Sequence, residues 1–386
     1  MKIGLPRQPA IVFLFLGLLL CQRFVCADDT SGQEKVTPLR SVRSDVRPLA
    51  SDPRDGSVGD RPNASSCEQK SEPRTRCDGV AGVPGQLRTA AEYVARGYAY
   101  GTKGEVDKAI ADFTIAIRLD PKNFDAFVQR GYSYVVKEEF GQAIADASVA
   151  IRLIRADAIG YYVRGFAESR TAEYDHGIRD LSEAIKLDQN YATAYRERGW
   201  SYGRMGRFDK AVADYTLAMG LDPNDAYTYV GRATVFNAMG EYKKAIVDCT
   251  AAIRLDPNQP VAYANRAYAY FSIHEFGKAI TDYGQSIRLN PTEAPALYHN
   301  RALAYEGTGN IKEALVDATK AITLAPTIGV LYHHRGSLYE TQGKTAEAQE
   351  DFAKALKLRG DSKDWNAADT IWNSDLNSGG VKRNSP

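Results

Sequence analysis

Arginine and aspartate recur along this sequence at a fixed interval, and both side chains can do ionic chemistry. Eight arginines lie about 34 residues apart, and an aspartate follows each of them by 16 residues. The pairs are Arg96 and Asp112, Arg130 and Asp146, Arg164 and Asp180, Arg198 and Asp214, Arg232 and Asp248, Arg266 and Asp282, Arg301 and Asp317, and Arg335 and Asp351. Free arginines would suit phosphate groups, but strict co-occurrence favours Arg–Asp pairs, either within a unit or across to the neighbouring unit. Exposed pairs contribute only about 0.2–1 kcal/mol each, so we predict that the two rows of charged residues serve to fix the register of the helices. We therefore do not count them among the binding-site residues.

Histidine is the other residue type here with chemical potential. His299 and His333 lie one period apart, and His334 follows directly. Two such imidazoles could contribute to a metal site. No obvious cysteine or carboxylate set accompanies them, so we predict surface or groove histidines, with no metal and no other cofactor. The sequence shows no phosphate-binding loop, nucleophile elbow or zinc-protease helix, and an enzyme is not expected.

These residues must be positioned by a repeated element, because the sequence from Ala90 onwards repeats with a period of 34 residues. We number positions from the first residue of each unit. One extra residue, near Ala294, falls between the sixth and the seventh unit. The eight units are 90–123, 124–157, 158–191, 192–225, 226–259, 260–293, 295–328 and 329–362. Position 4 is always aromatic, position 8 is always Gly or Ala, and Ala dominates positions 20 and 27. This pattern predicts two helices with a small-residue seam, hence a helix–turn–helix hairpin that must stack on its neighbours.

The combination of aromatic-4, small-8, Tyr-11, Ala-20, Ala-27 and Pro-32 resembles the tetratricopeptide repeat, in its bacterial form. The resemblance covers about 273 of 386 residues. It implies an all-α fold, a right-handed solenoid of eight helix–turn–helix repeats. Units two, three and eight carry Arg155, Gln189 and Gly360 in place of the closing proline, and Glu168 replaces the tyrosine of unit three. We therefore expect a softer or bent stack around residues 155–190.

The resemblance also implies a binding surface, since such solenoids present their first helices along a concave groove lined mainly by positions 2, 5, 9, 12 and 13. The candidate partner-binding residues carried over to this sequence are Tyr98, Tyr132, Tyr162, Phe166, Arg170, Arg196, Trp200, Arg204 and Asn237. Exposed aromatics mixed with arginines suit an extended peptide with apolar and acidic side chains, or a helix laid in the groove. The alternative is that the aromatic row at position 9 packs between neighbouring helices. The Lys-5 and Asn-9 with which some family members clamp a C-terminal carboxylate are absent from every unit.

As a function, the resemblance implies a scaffold that binds a protein or peptide partner in the groove. Two alternatives stay open: an accessory subunit of an envelope secretion or assembly complex, and a carbohydrate- or small-molecule-binding protein that uses Trp200, Tyr162 or the histidines. The net charge of +1 gives no argument for nucleic acid. The oligomeric state is not indicated.

The amino-terminal segment, residues 1–27, has the order of a secretory signal peptide. Lys2 and Arg7 precede an apolar stretch from 10 to 20, and Val25-Cys26-Ala27 offers a cleavage site. Eleven apolar residues are too few for a membrane span, which needs about 20. We therefore expect an extracytoplasmic protein, periplasmic or secreted, with tethering by an uncleaved signal as the alternative.

The remaining segments frame the solenoid of residues 89–362. Residues 28–88 are rich in proline and charge and are predicted to be a disordered polar linker. Within it, Cys67 and Cys77 either form a disulfide in an oxidising compartment or remain free thiols. Residues 363–386 are predicted to form a short capping helix, with Trp365 and Trp372 on one face, followed by a loose tail.

Overall fold

The computed structural model of the protein describes residues 89–290 and 295–359, which form sixteen α-helices and no strand. The helices come in eight pairs, one for each repeating unit, which confirms the prediction of an all-α array of hairpins. The pairs of repeats one to four are Ala90–Thr102 with Val106–Leu119, Phe124–Val136 with Phe140–Leu153, Ala158–Arg170 with Tyr174–Leu187, and Ala192–Arg204 with Phe208–Leu221. The pairs of repeats five to eight are Ala226–Ala238 with Tyr242–Leu255, Pro260–Ser272 with Phe276–Leu289, Pro295–Gly307 with Ile311–Leu324, and Gly329–Thr341 with Thr345–Arg359.

Several sequence predictions concern residues outside this described part. They are the signal peptide at 1–27, the linker at 28–88 with its possible disulfide, and the capping helix and tail at 363–386. Among the described helices, none combines the length and the hydropathy that a membrane crossing requires.

The chain divides into two compact units, with the boundary between Ala126 and Phe127. In the first unit, Phe113 and Ala109 of repeat one pack around Val94. In the second unit, each first helix from repeat three onwards packs against the second helix of its own repeat and against the second helix of the preceding repeat. Each hairpin thus buries both of its faces only by stacking, as a helical repeat must.

The small-residue seam determines how closely the two helices of a hairpin approach. Alanines at positions 20 and 27, such as Ala211 and Ala218, are almost completely buried. In repeat three the residue at position 20 is Gly177, and a Cβ added there would lie 2.2 Å from Ser169 Oγ and 2.7 Å from the backbone oxygen of Gly165. The helices of repeat three are therefore too close for alanine at this position.

The turn inside each hairpin needs a left-handed residue at position 15. Glycine supplies it in repeats one, four, five, seven and eight, with φ between 70° and 78°. Glu138, Ala172 and His274 take the same conformation in repeats two, three and six, with φ between 58° and 65°. A residue with a Cβ pays about 1–2 kcal/mol for this conformation, so these three turns are strained relative to the other five.

Each arginine at position 7 pairs with the aspartate at position 23 of its own repeat, which confirms the predicted pairing. In all eight repeats Nε and Nη2 donate to the two carboxylate oxygens at 2.5–3.0 Å. The expectation that these pairs are exposed is wrong, because the aspartates are only 3–9% exposed. Removing one partner of such a buried pair costs about 3–5 kcal/mol, well above the value for a surface pair.

The same arginines also join consecutive repeats. In five repeats Nη1 donates to the Ser or Thr hydroxyl at position 25 of the preceding repeat, at 2.9–3.4 Å. These bonds run from Arg164 to Ser148, Arg198 to Ser182, Arg232 to Thr216, Arg266 to Thr250 and Arg335 to Thr319. All three nitrogens of these five guanidinium groups are therefore engaged within the fold.

Candidate functional site

From repeat four onwards, position 6 of the first helix lies near the preceding first helix, at a joint between the two, and along the second unit its residue type changes from repeat to repeat. In the second unit this position is buried in six of seven repeats. Its occupants from repeat two to repeat eight are Gln129, Val163, Glu197, Gly231, Asn265, Asn300 and His334. Because a buried polar group needs hydrogen-bond partners, each joint requires its own set of neighbouring side chains.

In repeats three to five the joint is ionic. Glu197 accepts hydrogen bonds from Arg170 Nη2 at 2.8 Å and from Arg196 Nε at 3.1 Å. Arg196 Nη1 continues the chain to Asp225 Oδ2 at 2.7 Å. Asp225 is also the N-cap of the first helix of repeat five, where its side chain accepts from the Tyr227 backbone N–H. The ionic chain thus links three consecutive first helices.

The ionic chain shifts the pKa values of the two groups at its end, Arg196 and Asp225. Burial opposes the charged form of Arg196, but the carboxylates of Glu197 and Asp225 raise the pKa of Arg196 well above its ordinary value. Burial would also raise the pKa of Asp225, but Arg196 and the Thr228 hydroxyl lower it below the ordinary value. Both groups therefore stay charged at neutral pH.

Beside the ionic chain, cations and aromatic rings alternate along the first helices of repeats three and four; we call these residues the cation–aromatic column. The Arg170 guanidinium lies between two rings, 4.1 Å from the centre of Phe166 and 4.0 Å from that of Trp200. Arg204 follows, with Cζ 5.9 Å from the Trp200 ring and Nε donating to Tyr174 Oη at 3.2 Å. The order arises because positions 9 and 13 lie one helical turn apart and carry an aromatic and an arginine in both repeats.

The charges of this region do not balance. The three guanidinium groups of Arg170, Arg196 and Arg204 face two carboxylates. Arg170 has a side chain only 4% exposed, and its Nη1 has no hydrogen-bond partner. In the part of the chain that the structure describes, Arg204 makes no ion pair with a carboxylate, although it is partly accessible to solvent. The column therefore carries an excess positive charge beside an aromatic surface.

In repeats five and six the same joint is made of neutral groups. Asn237 Nδ2 donates to the backbone oxygen of Asn265 at 3.0 Å, and Asn265 Nδ2 donates to Thr234 Oγ1 at 3.0 Å. The position 9 residues Thr234 and Tyr268 are 5% and 2% exposed. Here the first helices are closed by packing, in contrast to the half-buried Phe166 and Trp200.

In repeats seven and eight the joint is built from two histidines. The partner of His299 is His334, with 3.3 Å between the two Nδ1 atoms, while His333 is exposed. His334 Nε2 lies 3.2 Å from Glu306 Oε2. The expectation of surface or groove histidines is wrong for His299 and His334, which are both buried. Burial and the neighbouring His334 lower the pKa of His299 to about 3.

The structure separates the predicted partner-binding residues into groups. Phe166, Arg170, Trp200 and Arg204 form the column, with Arg196 in the adjoining ionic chain. Tyr98 belongs to the first unit and packs edge-on against Phe113, with ring centres 6.2 Å apart, and Tyr132 packs against the core cluster of repeats two to four. The expected exposure is wrong for Tyr162, which is 7% exposed, and for Asn237, which is 3% exposed, because both pack at joints between helices.

Sequence reasoning missed three residues of this region, namely Glu197, Asp225 and Tyr174. Glu197 could have been noticed, because position 6 has no other charged carboxylate in the eight units. Tyr174 opens the second helix of repeat three and contacts Trp200 edge-on, with ring centres 6.0 Å apart. Its position at the start of a second helix gave no indication of a role beside the first helices.

Metal chemistry finds no support in this arrangement. In the described ranges, no group of three or more His, Cys, Asp or Glu side chains is placed to hold a metal ion. Cys249, at position 24 of repeat five, is a buried cysteine.

Comparisons with known proteins agree with the fold. Among solved structures, a chain of the "APC/C hetero-tetramer Cut9-Hcn1" is similar with 15% identity and a TM-score of 0.55, covering 73% of this chain and 55% of that chain. This chain therefore spans about half the length of that protein. A tetratricopeptide repeat protein from Parabacteroides merdae has 16% identity and a TM-score of 0.49, over 69% of this chain and 98% of its own. The solved structure of MamA has 27% identity and a TM-score of 0.37, and the match covers 42% of this chain and 94% of MamA. A search of curated protein sequences found no match.

Family models give the decisive result. Models of the tetratricopeptide repeat match residues 94–158, 192–225, 226–259, 260–293, 295–328 and 330–362, which together exceed half of the chain. Repeat three is almost wholly outside these matches, and it is the repeat that carries Glu168, Gly177 and Gln189 in place of the usual Tyr, Ala and Pro. The chain belongs to the tetratricopeptide repeat family.

Proposed function

We propose that the protein is a scaffold that binds a peptide segment of a protein partner on the first-helix face of repeats three and four. The observation that carries this proposal is the cation–aromatic column around Trp200. Tetratricopeptide repeat proteins generally serve in protein interaction and not in catalysis, but family membership alone does not locate a binding face.

The column has the composition and the rigidity of a binding site. Tryptophan and arginine are the residues most enriched among side chains that dominate binding energy. Phe166, Trp200 and Arg204 are half-buried, so each presents an edge to solvent while its orientation is fixed by neighbours. Side chains that are already ordered lose little conformational entropy on binding.

The neighbouring repeats favour this location over the rest of the first-helix face. In repeats five and six the corresponding position 9 side chains, Thr234 and Tyr268, are buried, which leaves no comparable aromatic surface there. The alternative is that the aromatic residues at position 9 only pack between neighbouring helices. This describes the buried Tyr268 well, but it leaves the partly accessible Arg204 without a role.

The test is selection of ligands from a display library of random linear peptides against the purified full chain. Selected peptides should bind the wild type and lose at least tenfold in affinity with Trp200→Ala or Arg204→Ala, since loss of a central anchor costs about 2 kcal/mol or more. Leu217→Ala is the matched control, because Leu217 is exposed on the second helix of the same repeat. Circular dichroism must show equal helicity for all variants. Peptides that bind both variants as well as the wild type would place binding on another face.

We also propose that the protein acts outside the cytoplasm. This rests on the charged, apolar and small-residue segments of residues 1–27 in the order of a secretory signal. Fractionation of cells that produce the full chain should find it outside the cytoplasm and shortened at the amino terminus. Recovery of the uncut chain from the cytoplasm would contradict export.

A further inference from the structure

We propose that the peptide segment bound at Trp200 presents an Asp or Glu side chain to Arg204. This inference rests on the proposed function and specifies the chemistry of the partner. It follows from two observations: the buried carboxylates near Trp200 already accept hydrogen bonds from other groups, whereas the terminal nitrogens of Arg204 make no ion pair with a carboxylate of the described chain.

The two buried carboxylates of the region already accept hydrogen bonds from groups other than Arg204. Glu197 uses Oε2 for Arg170 and Oε1 for Arg196. Asp225 uses Oδ2 for Arg196 and the Thr228 hydroxyl, and Oδ1 for a backbone N–H. Asp175, which follows Tyr174 in the chain, lies 3.5 Å from Arg207. The two buried acids are thus engaged with other groups, and the exposed Asp175 contacts Arg207 and makes no ion pair with Arg204 in the described chain.

The geometry of Arg204 leaves its terminal fork available. Nε is fixed by the hydrogen bond to Tyr174 Oη at 3.2 Å, and Cζ lies 5.9 Å from the centres of both the Tyr174 and the Trp200 rings. The guanidinium is therefore held in one orientation by its inner nitrogen. A planar fork of two N–H groups matches a carboxylate in bidentate geometry.

A second, independent feature strengthens the attraction for an anion. Arg170 is buried between Phe166 and Trp200 and forms a single hydrogen bond to Glu197, while Nη1 has no partner. Its charge is screened little by water, because interactions of buried charges are stronger than those at the surface. An anion beside Trp200 would lie near both Arg170 and Arg204. The apolar part of the same peptide residue, or its neighbour, would lie on the indole.

The experiment uses peptides selected from the random library against the full chain, each paired with a twin in which the acidic residue is changed to its amide. For the wild type, we expect the selected peptides to be enriched in Asp or Glu, and the amide twin to bind about tenfold more weakly. For Arg204→Gln, acid and amide twins should bind alike. Arg152→Gln, the loss of an exposed arginine in repeat two, should behave as the wild type does. Quenching of Trp200 in a Trp365→Phe, Trp372→Phe background reports binding at this site alone.

The outcomes separate this inference from the proposed function. If peptides bind in a Trp200-dependent manner and the amide twins bind equally well, the carboxylate is overturned while the binding face stands. If the acid preference persists in Arg204→Gln, Arg204 is not its receptor. If no peptide is selected, both proposals fail. Self-association of the full chain that disappears in Arg204→Gln would assign the site to a second copy and would also overturn a peptide carboxylate.

Discussion

Two sets of polar contacts run along the repeats, and they differ in regularity. The Arg-7/Asp-23 ladder has the same bidentate geometry in all eight repeats, with a largely buried aspartate and a partly exposed arginine. The joints at position 6 are ionic in repeats three to five, amide-based in five and six, and histidine-based in seven and eight. The repeated contacts hold the hairpin in its common form, whereas the unrepeated ones make each joint chemically distinct.

The difference shows where a repeat protein can acquire specificity. A ladder residue cannot change without breaking a pair that every repeat needs. A joint residue depends only on its immediate neighbours, so its chemistry can change repeat by repeat. The cation–aromatic column adjoins the ionic joint, and its Arg204 makes no ion pair with a carboxylate of the described chain.

Among the substitutions that test the difference between the ionic joint and the ladder, Glu197→Ala should have the largest effect. The change leaves the buried Arg170 and its neighbour Arg196 without their shared carboxylate, and we expect a loss of about 3–5 kcal/mol in the free energy of unfolding. Urea denaturation followed by Trp200 fluorescence measures the loss, and amide hydrogen exchange should localise it to repeats three to five. Glu183→Ala is the control, since Glu183 makes only a surface contact with Lys186. A loss below about 1 kcal/mol would show that the ionic joint does not hold these repeats together.

The ladder should respond less and more uniformly. Asp214→Asn keeps one acceptor for Arg198 but removes the charge, and we expect a loss of about 2–3 kcal/mol. Asp248→Asn should give the same loss, because the repeat geometry is the same. Denaturation of the two variants under identical conditions compares them. A difference of more than about 1 kcal/mol would contradict the equivalence of the ladder positions.

The histidine joint should weaken in acid. The folded pKa of His299 is lowered to about 3 from 6.5, so the unfolded state binds more protons between these values. Its stabilisation is complete above pH 6.5 and is lost as the pH falls, by about 2 kcal/mol between pH 7.5 and pH 5. The titratable group next to His299 is His334, and His334 in turn contacts Glu306. Hydrogen exchange of repeats seven and eight should show this loss in the wild type and a smaller one in His299→Asn. Equal pH dependence in both would contradict the assignment.

Repeat three should show the opposite pH dependence, with a smaller effect. Burial, and then Asp180, raise the pKa of Glu168 to about 7 from 4.5. Stability from this group is present below pH 4.5 and lost as the pH rises to about 7. One sixth of the side chain is exposed, so we expect Glu168→Gln to add only about 1–2 kcal/mol at pH 8 and nothing at pH 4. Thermal unfolding at the two pH values measures this, and a stabilisation that is equal at both would refute it.

Much of the fold was predictable from the sequence, because it rests on periodic local contacts. The aromatic at position 4, the small residues at 8, 20 and 27 and the arginine at 7 each recur eight times, and a pattern that recurs so often is hard to mistake. Pairing of the arginines with the aspartates followed from their co-occurrence, but the choice of Asp214 in its own repeat as the partner of Arg198 came from the structure. The burial of the aspartates did not follow from co-occurrence, because the sequence does not show how the second helices cover the carboxylates.

The candidate site was predictable in part. Phe166 with Arg170, and Trp200 with Arg204, could be placed on one helix face by their spacing. Their partners could not, because Glu197 binds Arg170 of the preceding repeat and Tyr174 contacts Trp200 from a second helix. The burial of His299 and His334 was missed for the same reason, since their contact forms between two neighbouring first helices.

The sequence by itself determined the hairpin, its length and its Arg–Asp pair, because these depend on contacts within one period and are stated eight times over. Only the tertiary structure decided which joints are ionic, neutral or imidazole-based, and where an arginine is left without a carboxylate. The reason is physical: those contacts form between neighbouring first helices, where burial makes each polar group depend on side chains that occur once and follow no period.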